Sequence, residues 1–267
     1  MKITLLGTGG SAGLPQIGGD DGYGDWGTTN PNEPRNRRMR ASILIQTDDG
    51  HVILVDTGPD LRIQLVNNGV AKVDSILFTH AHADHVAGLD DVRILNRIIG
   101  SPMPVYGTAE TLAEIKQRFE YAFKPWNGRF FGRPALIPKE ILTGQRVQIG
   151  GIEILPIHQD HGFSSSLGLR IDNFAYSTDV VRLDETAFKA LEGIKTWIVD
   201  CFTPESDHPT HAGLETVKVW VERLQPERTI LTHMGPHMDY QALRAILPSG
   251  IEPGYDGMVL HIQAEEN

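Results

Sequence analysis

The sequence has little cysteine, no long apolar run and no excess of positive charge. Its single cysteine, Cys201, excludes an intrachain disulfide and a zinc site built from cysteine thiolates. No segment approaches the roughly 20 consecutive apolar residues that span a bilayer, and the apolar run after Met1 is too short for a signal peptide. We therefore expect a soluble, cytoplasmic protein without a membrane partner.

The net charge of −10, from 34 acidic and 24 basic residues, argues against nucleic acid as the main partner, because nucleic-acid-binding proteins usually present a basic surface. A small anionic substrate stays compatible with this charge, because bound cations can dominate the field of a site. No linker divides the 267 residues, so we expect one domain over 1–267. A homodimer is the oligomer that base rates favour.

Short apolar runs predict strands, and helical patterns fall between several of them. The predicted strands cover 2–6, 42–46, 52–55, 75–79, 152–157, 167–171, 197–200 and 229–232, and the predicted helices about 59–68, 86–98, 108–122, 184–193 and 212–224. Early strands are joined by turns such as Asp48-Asp49-Gly50, whereas later strands alternate with helices. The order predicts two mixed sheets packed together with helices outside, an α/β layered sandwich.

Four potential metal ligands lie within six positions where the apolar strand 75–79 ends. His80, His82, Asp84 and His85 follow this strand directly. Imidazole is the commonest protein metal ligand, and a carboxylate adds a hard oxygen with negative charge. Side chains alternate along an extended segment, so alternate positions can point the same way before a turn brings His85 nearby. The motif therefore predicts ligands for two adjacent metals.

Further histidines and acids follow other predicted strands. His158 and His161 come after 152–157, Asp179 comes after Phe174-Ala175-Tyr176-Ser177, and His233 comes after 229–232. Strand ends hold several loops rigidly in one place, which is why binding sites are common there. Either His158, through strand alternation, or His161 can supply the ligand at the first of these positions.

Together these motifs resemble the metallo-β-lactamase superfamily. The resemblance extends to Gly7-Thr8-Gly9, Asp56-Thr57-Gly58 and Val105-Tyr106-Gly107. It implies a four-layer αββα sandwich with a dinuclear metal site at one edge. One divalent metal would take His80, His82 and His161, the other would take Asp84, His85 and His233, and Asp179 would bridge them. The family spacing favours His161 over His158, and the donor types suit zinc, manganese or iron.

The termini resemble one branch of the superfamily, that of phosphoribosyl 1,2-cyclic phosphate phosphodiesterase and ribonuclease Z. The opening 6–15, the stretch from Val199-Asp200-Cys201 to His211, and the block 247–258 carry this resemblance. It implies hydrolysis of a small, cyclic phosphodiester such as a ribose or nucleoside cyclic phosphate. A hydroxide bridging the metals would be the nucleophile, Asp84 would help to hold the metals, and His211 would be the general acid.

The sequence departs from that branch at the loop 18–26. Related phosphodiesterases carry a zinc-binding cysteine cluster there, completed by a histidine near the position of His237, whereas this loop has aspartate and glycine. His237 is then either a loop histidine or a residue that enters the site.

Two further segments each allow two interpretations. The arginines at 35, 37, 38 and 40 could bind phosphate or form ion pairs, and the aromatic stretch 126–131 could cover a substrate or pack in the core.

Three other functions fit the same ligands. A ribonuclease Z-like tRNA endonuclease is disfavoured by the net charge and by the lack of a basic, glycine-rich insertion. A lactonase or thioesterase is disfavoured by His211. A non-catalytic carrier, like the relative associated with pyrroloquinoline quinone synthesis, is disfavoured because all seven ligands are present.

Overall fold

Fourteen strands form two sheets in the residues that the computed structural model describes, 1–205 and 208–263. The strands are β1 (Lys2–Gly7), β2 (Ser42–Gln46), β3 (Val52–Val55), β4 (Ser75–Leu77), β5 (Met103–Gly107), β6 (Leu136–Glu140), β7 (Val147–Ile149), β8 (Ile152–Asp160), β9 (Ser165–Ile171), β10 (Phe174–Ser177), β11 (Thr196–Asp200), β12 (Arg228–Thr232), β13 (Ile251–Pro253) and β14 (Val259–His261). The first sheet has the order β14-β1-β2-β3-β4-β5-β6, and the second has the order β13-β12-β11-β10-β9-β8-β7.

Each sheet is antiparallel on one side and parallel on the other. In the first sheet the pairs from β14 to β3 are antiparallel, and those from β3 to β6 are parallel. In the second sheet the pairs from β7 to β10 are antiparallel, and those from β10 to β13 are parallel. Parallel neighbours direct their carboxyl ends to the same edge, so the loops after β4, β10, β11 and β12 can meet there.

Helices cover the outer faces of both sheets. They are α1 (Leu61–Asn67), α2 (Ala83–Val86), α3 (Val92–Ile99), α4 (Ala109–Arg118), α5 (Glu185–Leu191), α6 (Leu214–Leu224) and α7 (Tyr240–Ile246). The first four pack on the first sheet and the last three on the second. No helix within 1–205 and 208–263 is long and apolar enough to cross a membrane.

The alternation of side chains along the strands explains why three apolar layers form. In β2, Ile43 and Ile45 enter the core between the sheets, and Leu44 enters the layer beneath α1–α4. Both faces of this strand are thus buried, which accounts for its continuous apolar run. The predicted four-layer αββα sandwich is confirmed.

The structure differs from the sequence prediction in some elements. The helix predicted over 86–98 is two helices, α2 and α3, separated by Gly88 and a short 3₁₀ turn at Leu89–Asp91. The sequence did not predict β6, which carries Pro138 and has mostly exposed side chains at the sheet edge. It also missed β5, β7, the three-residue strands β13 and β14, and helix α7.

Candidate metal centre

Seven potential ligands from both sheets meet at one edge of the sandwich. His80, His82, Asp84 and His85 lie in the loop after β4 and in α2 of the first half. His161 follows β8, Asp179 follows β10 and His233 follows β12 in the second half. Their ligand atoms fall into two groups, and within each group all atoms lie within 4.8 Å of one another: His80, His82 and His161 in one, and Asp84, His85, Asp179 and His233 in the other.

Asp179 lies between the two groups. One carboxylate oxygen, Oδ1, is 3.6 Å from His161 Nε2 and 3.8 Å from His80 Nε2, and also 3.3 Å from His233 Nε2. The other, Oδ2, is 3.1 Å from His85 Nε2. The carboxylate can therefore serve both groups, as expected for a bridging ligand.

A buried hydrogen-bond chain orients His80 and His85. Asp56 accepts hydrogen bonds from the backbone N–H of Thr79 at 2.8 Å and from its hydroxyl at 2.7 Å. It also accepts from His85 Nδ1 at 2.7 Å. Since the Thr79 hydroxyl donates to Asp56, it accepts from His80 Nδ1 at 3.0 Å. Both imidazoles thereby direct Nε2 to the centre, the arrangement that carboxylates impose on metal-binding histidines.

His161, and not His158, joins the cluster. Its Nδ1 donates to the carbonyl of Thr210 at 2.7 Å, and its Nε2 lies 3.2 Å from His82 Nδ1. His158 is exposed on the preceding strand, because the alternation along β8 turns Gln159 inwards instead. The structure thus places only one of the two alternatives beside the other ligands.

The charged groups of the cluster shift one another's pKa. Burial favours the neutral acid of Asp179, but His233 and His85 outweigh it and hold the pKa of this carboxyl well below its usual range. Burial likewise opposes protonation of His85, yet Asp179 and Asp56 raise its pKa well above the usual value. Burial and the neighbouring His85 lower the pKa of His80. Acidic and imidazole groups of the cluster thus influence one another strongly in a buried space.

The donor set fits divalent cations. The Nε2 atoms of His80, His85 and His233 are buried without a hydrogen-bond partner. Buried polar atoms rarely lack partners, so these orphaned nitrogens point to an ion that binds them. Imidazole and carboxylate ligands suit zinc and manganese. The residues present therefore fit a centre with divalent metals.

Backbone strain concentrates at the same edge. Asp56, Asp179 and His233 have φ values of 67°, 52° and 53°, in the left-handed region that residues with a Cβ rarely adopt. Such conformations persist where the surrounding structure holds them, and they cluster at functional sites. Each of these residues is among the candidate ligands or orients one of them.

His211 lies beside the cluster and is oriented by Asp200. Its Nδ1 is 2.8 Å from Asp200 Oδ2, and its ring stacks on that of His233 at a centroid distance of 4.5 Å. A ligand atom of His211 also lies within 4.8 Å of those of His161 and Asp179. With Nδ1 held by a carboxylate, Nε2 is the atom free to exchange a proton with a bound molecule.

The four arginines of the loop before β2 all have protein partners. Arg35 pairs with Glu33 at 2.7 Å, and Arg40 pairs with Asp60 at 2.9 Å. Arg37 lies over the ring of Trp26. The fourth, at position 38, is buried and donates to the carbonyl of Met238 at 2.5 Å. The structure supports the ion-pair reading of this segment rather than the phosphate-binding one.

Asn36 joins the same loop to the segment before α7. Its Nδ2 donates to Asp239 Oδ2 at 2.6 Å and to the carbonyl of Asn30 at 3.0 Å. Its Oδ1 accepts from the backbone N–H of Tyr240 at 2.8 Å and from Arg38 at 3.2 Å. This side chain satisfies four hydrogen bonds while fully buried, and so fastens the loop to the C-terminal part of the chain.

The remaining sequence candidates lie away from the ligand cluster. His237 is exposed, with Nδ1 3.3 Å from the Thr28 hydroxyl. In the loop 18–26, Asp25 accepts from the backbone N–H of Gly27 at 2.8 Å. Trp126 stacks on buried Phe131 at 4.3 Å. These contacts support local packing for the aromatic stretch and give His237 no place among the ligands.

The sequence analysis did not assign Asp56 and Asp200 to the site. Both are fully buried, and each bonds a histidine of the centre. The available signal was an aspartate directly at the end of a buried apolar strand, β3 or β11. A charged residue in that position needs a partner, and a nearby histidine was the obvious one.

The chain matches known proteins over its length. A family model described as "Beta-lactamase superfamily domain" matches residues 51–234. The crystal structure of a diphosphatase from the PhnP family is 30% identical, has a TM-score of 0.86 and covers 98% of each chain. An octanoyltransferase of Porphyromonas gingivalis is 29% identical over 259 residues, 97% of this chain and 51% of that protein. A ribonuclease Z of Mycobacterium is 34% identical over 132 residues, 45% of this chain and 37% of that protein. The chain thus spans about half of the octanoyltransferase and less of the ribonuclease Z.

Proposed function

Because the chain belongs to the metallo-β-lactamase superfamily, in the branch of the PhnP family and ribonuclease Z, we propose that it is a metal-dependent phosphodiesterase. Its substrate is a small anionic phosphodiester, such as a ribose or nucleoside cyclic phosphate. The observation that carries this proposal is the placing of Asp200 and His211 directly beside two ligand groups that share Asp179. That arrangement combines sites for two cations with a proton donor.

The ligand groups define where a phosphate would bind. His80, His82 and His161 would hold one divalent cation, and Asp84, His85 and His233 the other, with Asp179 shared. When bound, two such cations lower the pKa of water and neutralise charge on phosphoryl oxygens. The chain fixes the positions of these ligands through Asp56, Thr79 and the carbonyl of Thr210.

His211 accounts for the proton that the reaction needs. Hydrolysis forms one bond from a water oxygen to phosphorus and breaks one ester P–O bond, so the departing oxygen must gain a proton. His211 donates it from Nε2, while Asp200 stabilises the protonated ring through Nδ1. The proton lost by the attacking water then restores the imidazolium.

Ribonuclease Z-like cleavage of tRNA is the second candidate, favoured by the matching stretch of the Mycobacterium protein. The net charge of −10 opposes it, because tRNA binding draws most of its affinity from basic residues facing phosphates.

A phosphodiester panel tests the proposal. Metal-reconstituted protein is assayed with bis-p-nitrophenyl phosphate, ribose 1,2-cyclic phosphate, 2′,3′-cyclic nucleotides and a precursor tRNA. His211→Ala is compared with His261→Ala, an exposed histidine on β14. We expect the wild type to hydrolyse a cyclic phosphate. In His211→Ala the rate should fall by at least about 100-fold, whereas His261→Ala should keep the wild-type rate. Absence of diester turnover by protein that holds two metals rejects the proposal, and lactones and thioesters are then the substrates to assay.

A further inference from the structure

A cavity of about 620 Å³ adjoins the first ligand group. His80 and His82 form part of its wall. The rest comes from the loop after β5, the start of α4, the end of β6 and the segment after it, His158 on β8, and the turn that leads into the start of β9. His80 is only 3% exposed, and its Nε2 has no hydrogen-bond partner. The cavity thus begins at a candidate metal ligand of the centre. It has room for an organic group attached to a phosphate bound there.

The cavity and the proton donor serve different parts of a substrate. Among the described residues, neither His211 nor Asp200 lines the cavity. A phosphodiester has two ester groups, and the one that departs must receive its proton near His211. The group in the cavity is therefore the one that stays on the phosphorus, which in a cyclic phosphate is the sugar that carries both ester oxygens.

The charge of the cavity wall is negative. Glu110, Glu114 and Glu140 line it, and no lysine or arginine does so among the described residues. Glu114 is paired with Arg118 at 2.9 Å. Within 1–205 and 208–263, the side chains of the other two glutamates have no hydrogen bond or ion pair. Two uncompensated carboxylates therefore face any group that enters.

The cavity wall also carries two exposed apolar side chains. Phe163, two residues after the ligand His161, is 92% exposed, and Leu142 is 51% exposed. Large apolar side chains this exposed, in the wall of a cavity, are typical of ligand-binding surfaces. An aromatic face next to carboxylates is the chemistry that binds alkylammonium groups.

We propose that this cavity binds the retained ester group of the substrate and selects one that carries an ammonium. The inference rests on the proposed phosphodiesterase function for its reaction, and on the cavity residues for its selectivity. A retained group with a second phosphate or a carboxylate is disfavoured, because Glu110 and Glu140 repel it.

Two substrates that differ only in charge test the selectivity. The p-nitrophenyl phosphodiester of choline is compared with that of 3,3-dimethylbutanol, its uncharged isostere, on metal-loaded protein. We expect kcat/KM to be about 5- to 10-fold higher for the choline diester at low salt, mostly through KM. The preference falls to below about 2-fold in Glu110→Gln/Glu140→Gln, because the ammonium of the choline diester then meets no uncompensated carboxylate. Exposed carboxylates are screened, so about 0.5 M salt also reduces the preference.

The controls separate the cavity from the catalytic centre. Glu222→Gln, on the exposed face of α6, keeps the full preference. Equal kcat/KM for the two diesters overturns the cavity proposal and leaves the phosphodiesterase proposal intact. If neither diester is hydrolysed, the panel with cyclic phosphates decides the phosphodiesterase proposal, and calorimetric binding of phosphocholine against 3,3-dimethylbutyl phosphate decides the cavity separately. There, tighter binding of phosphocholine that is lost in the double variant supports the cavity, and equal binding rejects it.

Discussion

His211 Nδ1 and Asp200 Oδ2 lie 2.8 Å apart in a buried hydrogen bond at the end of β11. The same carboxylate oxygen accepts the backbone N–H of Val180 at 3.0 Å, which fixes its direction. Phe202 and His208 pack their rings on His211 at centroid distances of 5.1 Å. The imidazole is thus held in one orientation, and only Nε2 can meet a substrate.

Asp200→Asn tests whether this orientation serves proton donation. We expect kcat to fall by about 100-fold for a diester with an alkoxide leaving group. For a p-nitrophenyl leaving group we expect less than about 5-fold, because nitrophenolate departs without a proton. Steady-state kinetics with both substrate classes measure the loss of kcat for each. A loss of the same size for both classes contradicts the role.

The metal content of Asp200→Asn must be measured alongside. Asp200 Oδ1 lies 3.8 Å from His233 Nδ1, so the substitution can also weaken metal binding by the candidate ligand His233. If elemental analysis finds the same metal content in the variant and in the wild type, the different losses of kcat for the two substrate classes are due to His211.

Asp56→Ala is expected to weaken metal binding without touching a ligand. Asp56 fixes His85 directly and His80 through the Thr79 hydroxyl. Loss of such an orienting carboxylate costs about 10- to 100-fold in metal affinity. Competition with a chromophoric chelator gives the affinity, and Asp74→Ala, on the loop before β4, is the control. Unchanged affinity in Asp56→Ala contradicts the assignment.

Asn36→Ala tests the buried attachment of the loop before β2. Four hydrogen bonds lose their partner, so we expect the free energy of unfolding to fall by about 3 kcal/mol. Urea denaturation measures it. Asn32→Ala, exposed in the same loop, should change it by less than about 0.5 kcal/mol. Similar losses in both variants would show that Asn36 has no special role.

Asp239 gives this attachment a defined pH dependence. Burial opposes its charge, but hydrogen bonds from the backbone N–H groups of Asn30 and Ala242 and from Asn36 hold the pKa of its carboxyl below the usual value. A depressed pKa contributes stability at pH values above the unfolded pKa, near 3.8, and this contribution is lost as the pH falls through the folded value.

We therefore expect Asp239→Asn to lower the free energy of unfolding by about 1 kcal/mol at pH 7. The difference from the wild type should stay constant down to about pH 5 and shrink below about pH 4. Denaturation curves at pH 7, 5 and 3 provide the comparison. A difference that grows on acidification has the wrong sign for this account.

The sequence was informative where the chemistry is local and rare. The residues His80, His82, Asp84 and His85 come from one short segment, and the apolar runs of the central strands are clear enough to predict these strands. Pro138 and the exposed side chains of β6 hide an edge strand, because no alternation marks it. Helix α7 did carry a signal, since Asp239 caps it by accepting from Ala242 N–H at 2.9 Å.

Relationships between distant segments could not be read in this way. The choice between His158 and His161 depended on how far β8 extends before it turns. The partners of Asp56 and Asp200 lie 29 and 11 residues away, and their distances depend on how the strands pair. Arg35 and Arg38 have partners on α7 and in its preceding loop, about 200 residues further on, which local composition does not reveal.

The candidate ligands come from both sheets, four from the first half of the chain and three from the second. A bound cation would therefore join two layers that pack against each other mainly through the apolar core between the sheets. Its binding energy adds to folding stability by about 2.7 kcal/mol when free metal is 100-fold above Kd. The lifetime of this protein against proteolysis should accordingly follow the metal supply of the cell, so that metal starvation reduces its abundance as well as its activity.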